Sequence, residues 1–595
     1  MAQTTARPSS DSFSPTRAAL TPSSSPSHAP GPDLKISSTT SPKSSLKSSS
    51  SRKAPPDTRP PDSHRTSDLE NAGQLSPSDI EKASRSPARD VEEAGSSNVL
   101  NAERTGRSDS SDVERADHLQ PPKPKDQDAY LVDWEPNDPD NPKNWSTTYK
   151  AWITFQLGML ALSGSSASSI ISPAEQQISA YTGVSAEATI LTISLYILGF
   201  AFGPLCWAPI SEVWGRKWSM IPAVFGLALF SIGTATSQNF ASIIITRFFG
   251  GVFGSSPISN VSAALGDIYH PKARGTAVTF YAVAVVGGPT ISPVIGSAIV
   301  VNPKLGWRWT EYIIAIWVFA IFALTLLCMP EVYAPVLLKK KAQRLRKETG
   351  NSAWHHPHED IKLDFQSIVT KHLSRPLRML FTEPMVTCIA IYASFCYALV
   401  YLTLEVFPIV FLDIRAWPLV VSTLPFLGLF VGVLFAVVVN LGNQPRYSRI
   451  VDANGGKPVP EARLQPMIVG AVSFAVGLFW FGWTGGNKSI HWVVPVIATA
   501  LIGAGFNIIF QQCINFLVDT YMLYAASAVS ANTFLRSVLA AAFPLFARPM
   551  FNNLGVGPAM SILGAFATLA IPVPLIFMKY GLRLRKMSKF APVDD

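Results

Sequence analysis

Apolar residues in this chain gather into long runs after Lys150, without the strict alternation of a half-buried strand. Each run has roughly 20 residues or more, the length at which a helix rising 1.5 Å per residue crosses about 30 Å of hydrocarbon. Twelve runs predict helical spans near 151–172, 188–209, 218–236, 240–263, 276–300, 310–330, 385–411, 417–441, 466–484, 491–517, 526–548 and 557–578. Some contain Gly and Pro, as in "GGPTISPVIG" at 287–296, which a membrane helix tolerates where neighbours satisfy the freed backbone groups. A polar stretch of about 50 residues after the sixth run separates six spans from six. The pattern predicts an all-α membrane protein, with one six-helix bundle over 129–330, a central loop over 331–383, a second bundle over 384–580 and a tail over 581–595.

Residues 1–128 follow a different rule. Stretches such as "SPKSSLKSSSSRKAPPDTRPPDS" are Ser, Pro and charge, with too little apolar surface to offset the entropy of ordering, and predict a long disordered tail. The opening "MAQTTARPSSDSF" has no basic start followed by an apolar core, so no cleaved secretory signal is expected. Composition agrees with a membrane protein, at 48% apolar and 15% charged residues, against about 25% charged in soluble domains.

Charge sets the orientation. If the tail is cytoplasmic, the loops on its side and the C-terminal tail hold about 23 Lys and Arg, and the opposite loops hold Lys304, Arg308, Arg415 and Lys488. The positive-inside rule then predicts both termini in the cytoplasm. The net charge of +9 is mostly this asymmetry, and because the basic residues are scattered over short loops, no nucleic-acid partner is expected. Cys206, Cys328, Cys388, Cys396 and Cys513 all fall within spans, as small apolar residues and not as a disulfide or zinc framework.

The segment "WAPISEVWGRKWSM" at 207–220 is polar between two apolar runs. A turn at Gly215 sets Glu212 near the end of one helix and Arg216 and Lys217 at the start of the next, within reach of a carboxylate or a helix C-terminus. A positive-inside anchor with a turn explains the charge equally well. The spacing of Ala208, Ile210, Glu212, Gly215, Arg216 and Lys217 resembles the loop signature of the major facilitator superfamily. "RFFGGVFGSS" from Arg247 resembles its second motif. Gly288, Pro289, Ser292, Pro293 and Gly296 resemble its antiporter motif, although Ser292 and Ser297 stand where the fungal form has Gly. "NPKNW" at 141–145, "GDIYHPKARG" at 266–275, "PEARL" at 460–464 and "YAASAVSANTFLRS" at 524–537 look like fungal twelve-span drug:proton antiporters. The resemblance spans roughly 130–580. It implies two six-helix bundles around a central cavity, proton-driven export of drugs, polyamines, toxins or self-made metabolites, and the plasma membrane as location. It also implies that Glu212, Gly215, Arg216 and Lys217 act as a cytoplasmic gate.

Ionisable residues inside spans cost about 2.5–3.5 kcal/mol each on insertion scales and need a reason. Arg247, Glu405, Arg536 and, at a span edge, Glu311 are the candidates, while span 1 offers Gln156 but no acid. Glu405 is expected to exchange a proton or bind a cationic group, with Arg247 favouring the charged carboxylate; the alternative is a structural pairing of Glu405 with Arg415 or a Lys. For Arg536, hydrogen bonds to neighbouring carbonyls compete with a role in the cavity. Tyr392, Tyr397, Tyr401 and Phe407 in span 7, with Phe506, Asn507, Gln511 and Asn515 in span 10, recur at helical spacing and suit a pocket for amphiphilic molecules.

Other chemistry is sparse. The chain has no G-x-x-x-x-G-K-[ST] phosphate loop and no H-E-x-x-H helix, so neither ATP-driven pumping nor zinc hydrolysis is expected, and no enzyme activity or cofactor. "HHPH" at 355–358 reads as a solvated loop more readily than as a metal site, and Asn487 heads a sequon in a loop too short to reach far from the membrane. The expectation is a monomeric secondary transporter in the lipid bilayer, exporting a drug, toxin or secreted metabolite such as a glycolipid in exchange for protons. A polyamine or organic-acid transporter, or a non-transporting sensor of the same fold, is the alternative.

Overall fold

A computed structural model describes residues 130–359, 374–588 and 590. The expected disordered tail lies outside them, as do 360–373 of the central loop and the residues from 591 onward.

Eleven helices among the described residues are long and apolar enough to cross a membrane. The twelfth expected span is α1 (Thr147–Ser169), 23 residues long, whose "LSGSSASS" end is too polar to count among them. The others are α2 (Leu191–Trp214), α3 (Arg216–Thr236), α4 (Phe240–Ile268), α5 (Pro271–Val301), α6 (Arg308–Cys328), α7 (Pro384–Phe407), α8 (Pro425–Ala453), α9 (Leu464–Gly485), α10 (Val493–Tyr521), α11 (Ala525–Leu554) and α12 (Val556–Ala570, continued by Pro572–Lys586). Beyond α7 the chain widens into a π-helical stretch, Pro408–Ile414, where Pro408 has no N–H to continue the ladder.

Six of these helices form each half, and the halves repeat one plan. In the first half α1 packs on α5, α2 and α3 on α4, and α3 on α6; in the second, α7 packs on α11, α8 and α9 on α10, and α9 on α12. The halves meet through α2 against α11 and α5 against α8, which are also counterparts in the repeat. Small residues make these contacts close, as expected where lipid tails are as apolar as the side chains. A Cβ on Gly288 of α5 would lie 2.5 Å from the Ser165 carbonyl carbon and 2.6 Å from Ser166 N on α1.

The Lys- and Arg-rich loops lie at one end of the bundle, called here the basic face. There the central loop is more ordered than its polarity suggests. Helix Ala334–Thr349 carries an apolar stripe of Leu338, Ala342 and Leu345, on which Val132 and Trp134 pack, while Lys341 pairs with Asp138 at 2.7 Å. The "HHPH" segment, expected to be solvated, is anchored: His355 bridges to Leu131, and His358 is buried with its Nε2 3.3 Å from the Val213 carbonyl oxygen. The last helix runs to Lys586, past the expected span edge, and Arg585 holds Glu461 at 2.8 Å.

Candidate functional site

At the basic face the α2–α3 turn is built around carboxylates. Gly215 has φ 99°, a conformation that favours glycine, and the turn puts the first two amides of α3 on one acid: Arg216 N donates to Glu331 Oε1 at 2.8 Å and Lys217 N to Oε2 at 3.1 Å. A carboxylate there complements the positive end of the helix. The Arg216 side chain turns the other way. Its Nε donates to Asp267 Oδ2 at 2.9 Å and Nη1 to Ser211 Oγ at 2.7 Å, with the guanidinium 4.5 Å from the Tyr333 ring centre. Lys217 Nζ donates to the Leu326 carbonyl at 3.1 Å. The expected gate residues Gly215, Arg216 and Lys217 therefore meet Glu331 and Asp267, and Glu212 lines the adjoining cavity.

The second half repeats this latch. Arg463, in the "PEARL" turn before α9, donates through Nε to Asp519 Oδ2 at 3.0 Å near the end of α10, as Arg216 does to Asp267 near the end of α4. Tyr447 Oη also donates to Asp519 Oδ2, at 2.8 Å. Here the acid is shared across the halves, because Arg274 of α5 donates to Asp519 Oδ1 at 2.6 Å. Lys272 meets Asp452 at 2.5 Å across the same seam. A cavity of about 310 Å³ opens beside these pairs, lined by Glu212, Arg216, Asp267, Arg274, Asn515 and Thr533 among others.

The opposite end of the bundle carries a second charged link. Glu405 near the end of α7 is 1% exposed and accepts from Arg548 Nε at 2.9 Å. Arg548, on α11, also donates through Nη2 to Glu175 Oε2 at 3.1 Å, and Glu175 opens a short helix, Glu175–Thr182, that follows α1. One guanidinium thus serves two buried carboxyls, one from each half. Burial, and then the neighbouring Glu405 charge, push Glu175 well above the usual carboxylate range. Glu405 therefore pairs neither with Arg247 nor with Arg415, whose guanidinium donates to the carbonyls of Thr484, Gly485, Asn487 and Ile490.

Arg247 is instead closed into the first half. Its Nη1 pairs with Glu311 at 3.0 Å, both side chains being almost wholly buried. Its nitrogens also donate to the carbonyls of Thr192, Ala167 and Ser168, and it lies 4.3 Å from the Tyr196 ring centre. The span-5 motif residues serve the α1 contact and the seam: Gly288 and Gly296 face α1 and the following turn, Pro289 and Pro293 lie inside the helix, Ser292 is buried, and Ser297 Oγ lies 2.9 Å from Thr423 Oγ1, just before α8.

The expected cavity residues divide into two sets. Tyr397, Tyr401, Phe506 and Arg536 come together: Tyr397 is 6.1 Å from Phe506 and 5.2 Å from Tyr401, and Arg536 lies 4.5 Å from the Tyr397 ring centre. Tyr401 Oη reaches Ser168 Oγ of α1 at 3.0 Å. Gln156 on α1 is fully buried with neither amide atom partnered, and Tyr392 Oη is likewise unpartnered. The remainder serve helix contacts or the basic face. Asn507 donates to the Val433 carbonyl at 3.4 Å, Gln511 accepts from Asn440 at 2.7 Å and also donates to Thr279, and Asn515 lines the basic-face cavity. The sequence offered Asp267, Arg274 and Arg463 only inside family-like strings with no role attached, and gave no signal for Glu175, Glu331, Asp519 and Arg548, most of which lie at helix ends where an apolar run stops counting.

This arrangement has known counterparts. The model of the Major Facilitator Superfamily matches residues 157–544. The multidrug transporter FLU1 of Candida albicans is 40% identical over 474 residues, covering 79% of this chain and 78% of the relative. The efflux pump bik6 of Gibberella fujikuroi is 42% identical over 470 residues, covering 79% and 96%. The multidrug transporter TPO1_1 of Candida glabrata is 41% identical over 478 residues, covering 80% and 84%. The solved xylose transporter XylE from E. coli, in a partially occluded inward open conformation, superposes with a TM-score of 0.51 at 18% identity, over 73% of this chain and 99% of that one. With a family match over most of its spans, relatives near 40% identity and two repeated six-helix halves, this multi-pass membrane protein belongs to the major facilitator superfamily, a family of transporters.

Proposed function

We propose that the protein is a proton-coupled exporter of a small organic amphiphile, such as a drug, toxin or secreted metabolite, and is not an enzyme. It works as a monomer in the plasma membrane with its basic face and both termini in the cytoplasm, which the positive-inside rule favours. The names of FLU1, bik6 and TPO1_1 support export.

The observation that carries proton coupling is the cluster of Glu175, Glu405 and Arg548. Two buried carboxyls around one guanidinium are balanced when they share one proton. Closing the far face therefore takes up a proton, and opening it to water lets that proton exchange. Glu405 and Glu175 bind the proton, and Arg548 orients them. Arg247 supports the first half through Glu311. Glu212, Gly215, Arg216 and Lys217 form the cytoplasmic latch, the span-5 motif sets the close α1–α5 contact, and the central aromatic group receives the substrate.

Inside-out plasma-membrane vesicles with an imposed pH gradient test this. Accumulation of a fluorescent amphiphile such as 1-naphthaleneacetate is expected to follow the gradient, collapse with a protonophore, and be lost in Glu405→Gln at unchanged abundance. Gradient-driven accumulation by Glu405→Gln at the wild-type rate overturns the assignment of Glu405.

A further inference from the structure

Four arginines are buried among the described residues: Arg216, Arg247, Arg463 and Arg536. The first three each reach a carboxylate, on Asp267, Glu311 and Asp519. Arg536 does not. It is 2% exposed, and among the described residues no hydrogen bond or ion pair reaches its guanidinium; its Nε is buried without a partner. Two aromatic faces lie against it, Tyr397 of α7 at 4.5 Å and Phe510 of α10 at 4.9 Å. Those rings stack on one another and stabilise the cation through their π-faces. They cannot accept the directional N–H bonds of a guanidinium, which stays charged even when buried.

Position and surroundings point the same way. Arg536 lies eleven residues into the 30-residue α11, roughly 16 Å along its axis from the basic face and near the membrane midplane. Transporters of this architecture hold substrate there, between their repeats. One helical turn earlier, on the same face, Asn532 is fully buried with both amide atoms unpartnered. The cavity that opens at the basic face reaches Thr533 on the same helix, so a route from that face ends one turn short of Arg536. The carboxylates that could neutralise Arg536 are already engaged: Glu311 by Arg247, and Glu405 and Glu175 by Arg548.

We propose that Arg536, with the Asn532 amide beside it, is the binding site for the anionic group of the substrate, and that the exported molecule is an amphiphilic organic anion whose apolar body stacks on Tyr397 and Phe510. The inference rests on the transporter reading above and names its substrate class. A polyamine or other cation would meet an uncompensated guanidinium at the midplane. A carboxylate or sulfonate would instead supply its missing acceptors, as a bidentate partner, and accept from the Asn532 amide.

The test is equilibrium binding to the purified full-length protein in nanodiscs, with empty nanodiscs subtracted and no pH gradient present. Three probes share one ring system and differ in charge: 1-naphthaleneacetate, 1-naphthaleneacetamide and 1-naphthylmethylammonium. The wild type is expected to bind the anion at least tenfold more tightly than the other two. Arg536→Gln is expected to remove that preference without weakening the amide, and Arg536→Lys to keep it in part. Because the wild type alone must show the preference, misfolding of a variant does not protect the proposal. Equal binding of the three probes, tighter binding of the ammonium, no binding of any, or an unchanged preference in folded Arg536→Gln each overturns it. Anion preference without gradient-driven accumulation in vesicles would keep this site and remove the antiport reading, and driven transport without anion preference would do the reverse.

Discussion

Gly215 lies directly against the carboxylate of Glu331, so that a β-carbon on the glycine would come within 2.3 Å of Oε2. The same glycine has φ 99°, so any side chain there is strained on two counts. Gly215→Val is expected to cost about 1–3 kcal/mol in backbone strain and to push Glu331 off the amides of Arg216 and Lys217. Transport per molecule is expected to fall at least several-fold while abundance in the membrane holds, as read by vesicle transport normalised to immunoblot. If the variant disappears from the membrane, the turn serves insertion and not cycling.

Asp519 holds Arg463 within its own half and Arg274 from the other. Arg274→Gln removes one link between the halves and leaves Arg463 paired with Asp519 and Lys272 with Asp452. It is expected to open the basic-face seam, raising the alkylation rate of a cysteine at Asn515→Cys several-fold in a background without the native cysteines. Asp519→Asn strips both arginines of a buried partner and is expected to cost about 3–5 kcal/mol, seen as a lower melting temperature in detergent.

The raised affinity of Glu175 for a proton gives closure of the far face a pH dependence. With the cluster assembled, Glu175 keeps its proton above its ordinary value of 4.5, whereas in an open, wet far face it loses it near that value. The closed state therefore holds more protons. Closure is fully favoured below about pH 4.5 and weakens as pH rises through the raised value, by up to about 1.4 kcal/mol per pH unit for one proton. Accessibility of a cysteine at Thr423→Cys, buried in the closed far face, is expected to rise with external pH when Glu175 is present. In Glu175→Gln it is expected to stay flat.

Arg247 and Glu311 form a dry pair in which each charge depends on the other. Glu311→Gln leaves the guanidinium without its counter-charge and is expected to destabilise the first half by about 3–5 kcal/mol. Arg247→Met with Glu311→Leu removes both charges and is expected to melt above Glu311→Gln. A double variant less stable than either single one would show that Arg247 is held by the Thr192, Ala167 and Ser168 carbonyls and not by the acid.

The spans were legible because crossing hydrocarbon leaves a one-dimensional trace, a run of apolar residues of fixed length. Glu405 and Arg247 stood out by the same logic, as charges inside such runs. Their partners left no comparable trace. Arg548 ends one predicted span and Glu175 follows another, where charge is ordinary, and only folding brings them onto Glu405, 143 and 230 positions distant in sequence. Polar appearance also misled at the central loop: Leu338, Ala342 and Leu345 recur at helical spacing on one face among lysines and arginines, a pattern easily lost when net polarity is read instead of periodicity. The Arg463 latch was visible only as the string "PEARL", and its meaning came from superimposing the plan of one half on the other.

Counterpart helices supply the two arginines that cross between the halves: Arg274 at the basic-face end of α5, and Arg548 near the far end of α11. Between them, side-chain contacts of Thr279 with Gln511 and of Ser168 with Tyr401 hold the seam with no charge at all. A molecule tied this way behaves as a see-saw, strongly fastened at its two ends and loosely at its middle. Whatever weakens one fastening, a proton at one end or a competing anion at the other, tips the whole beam.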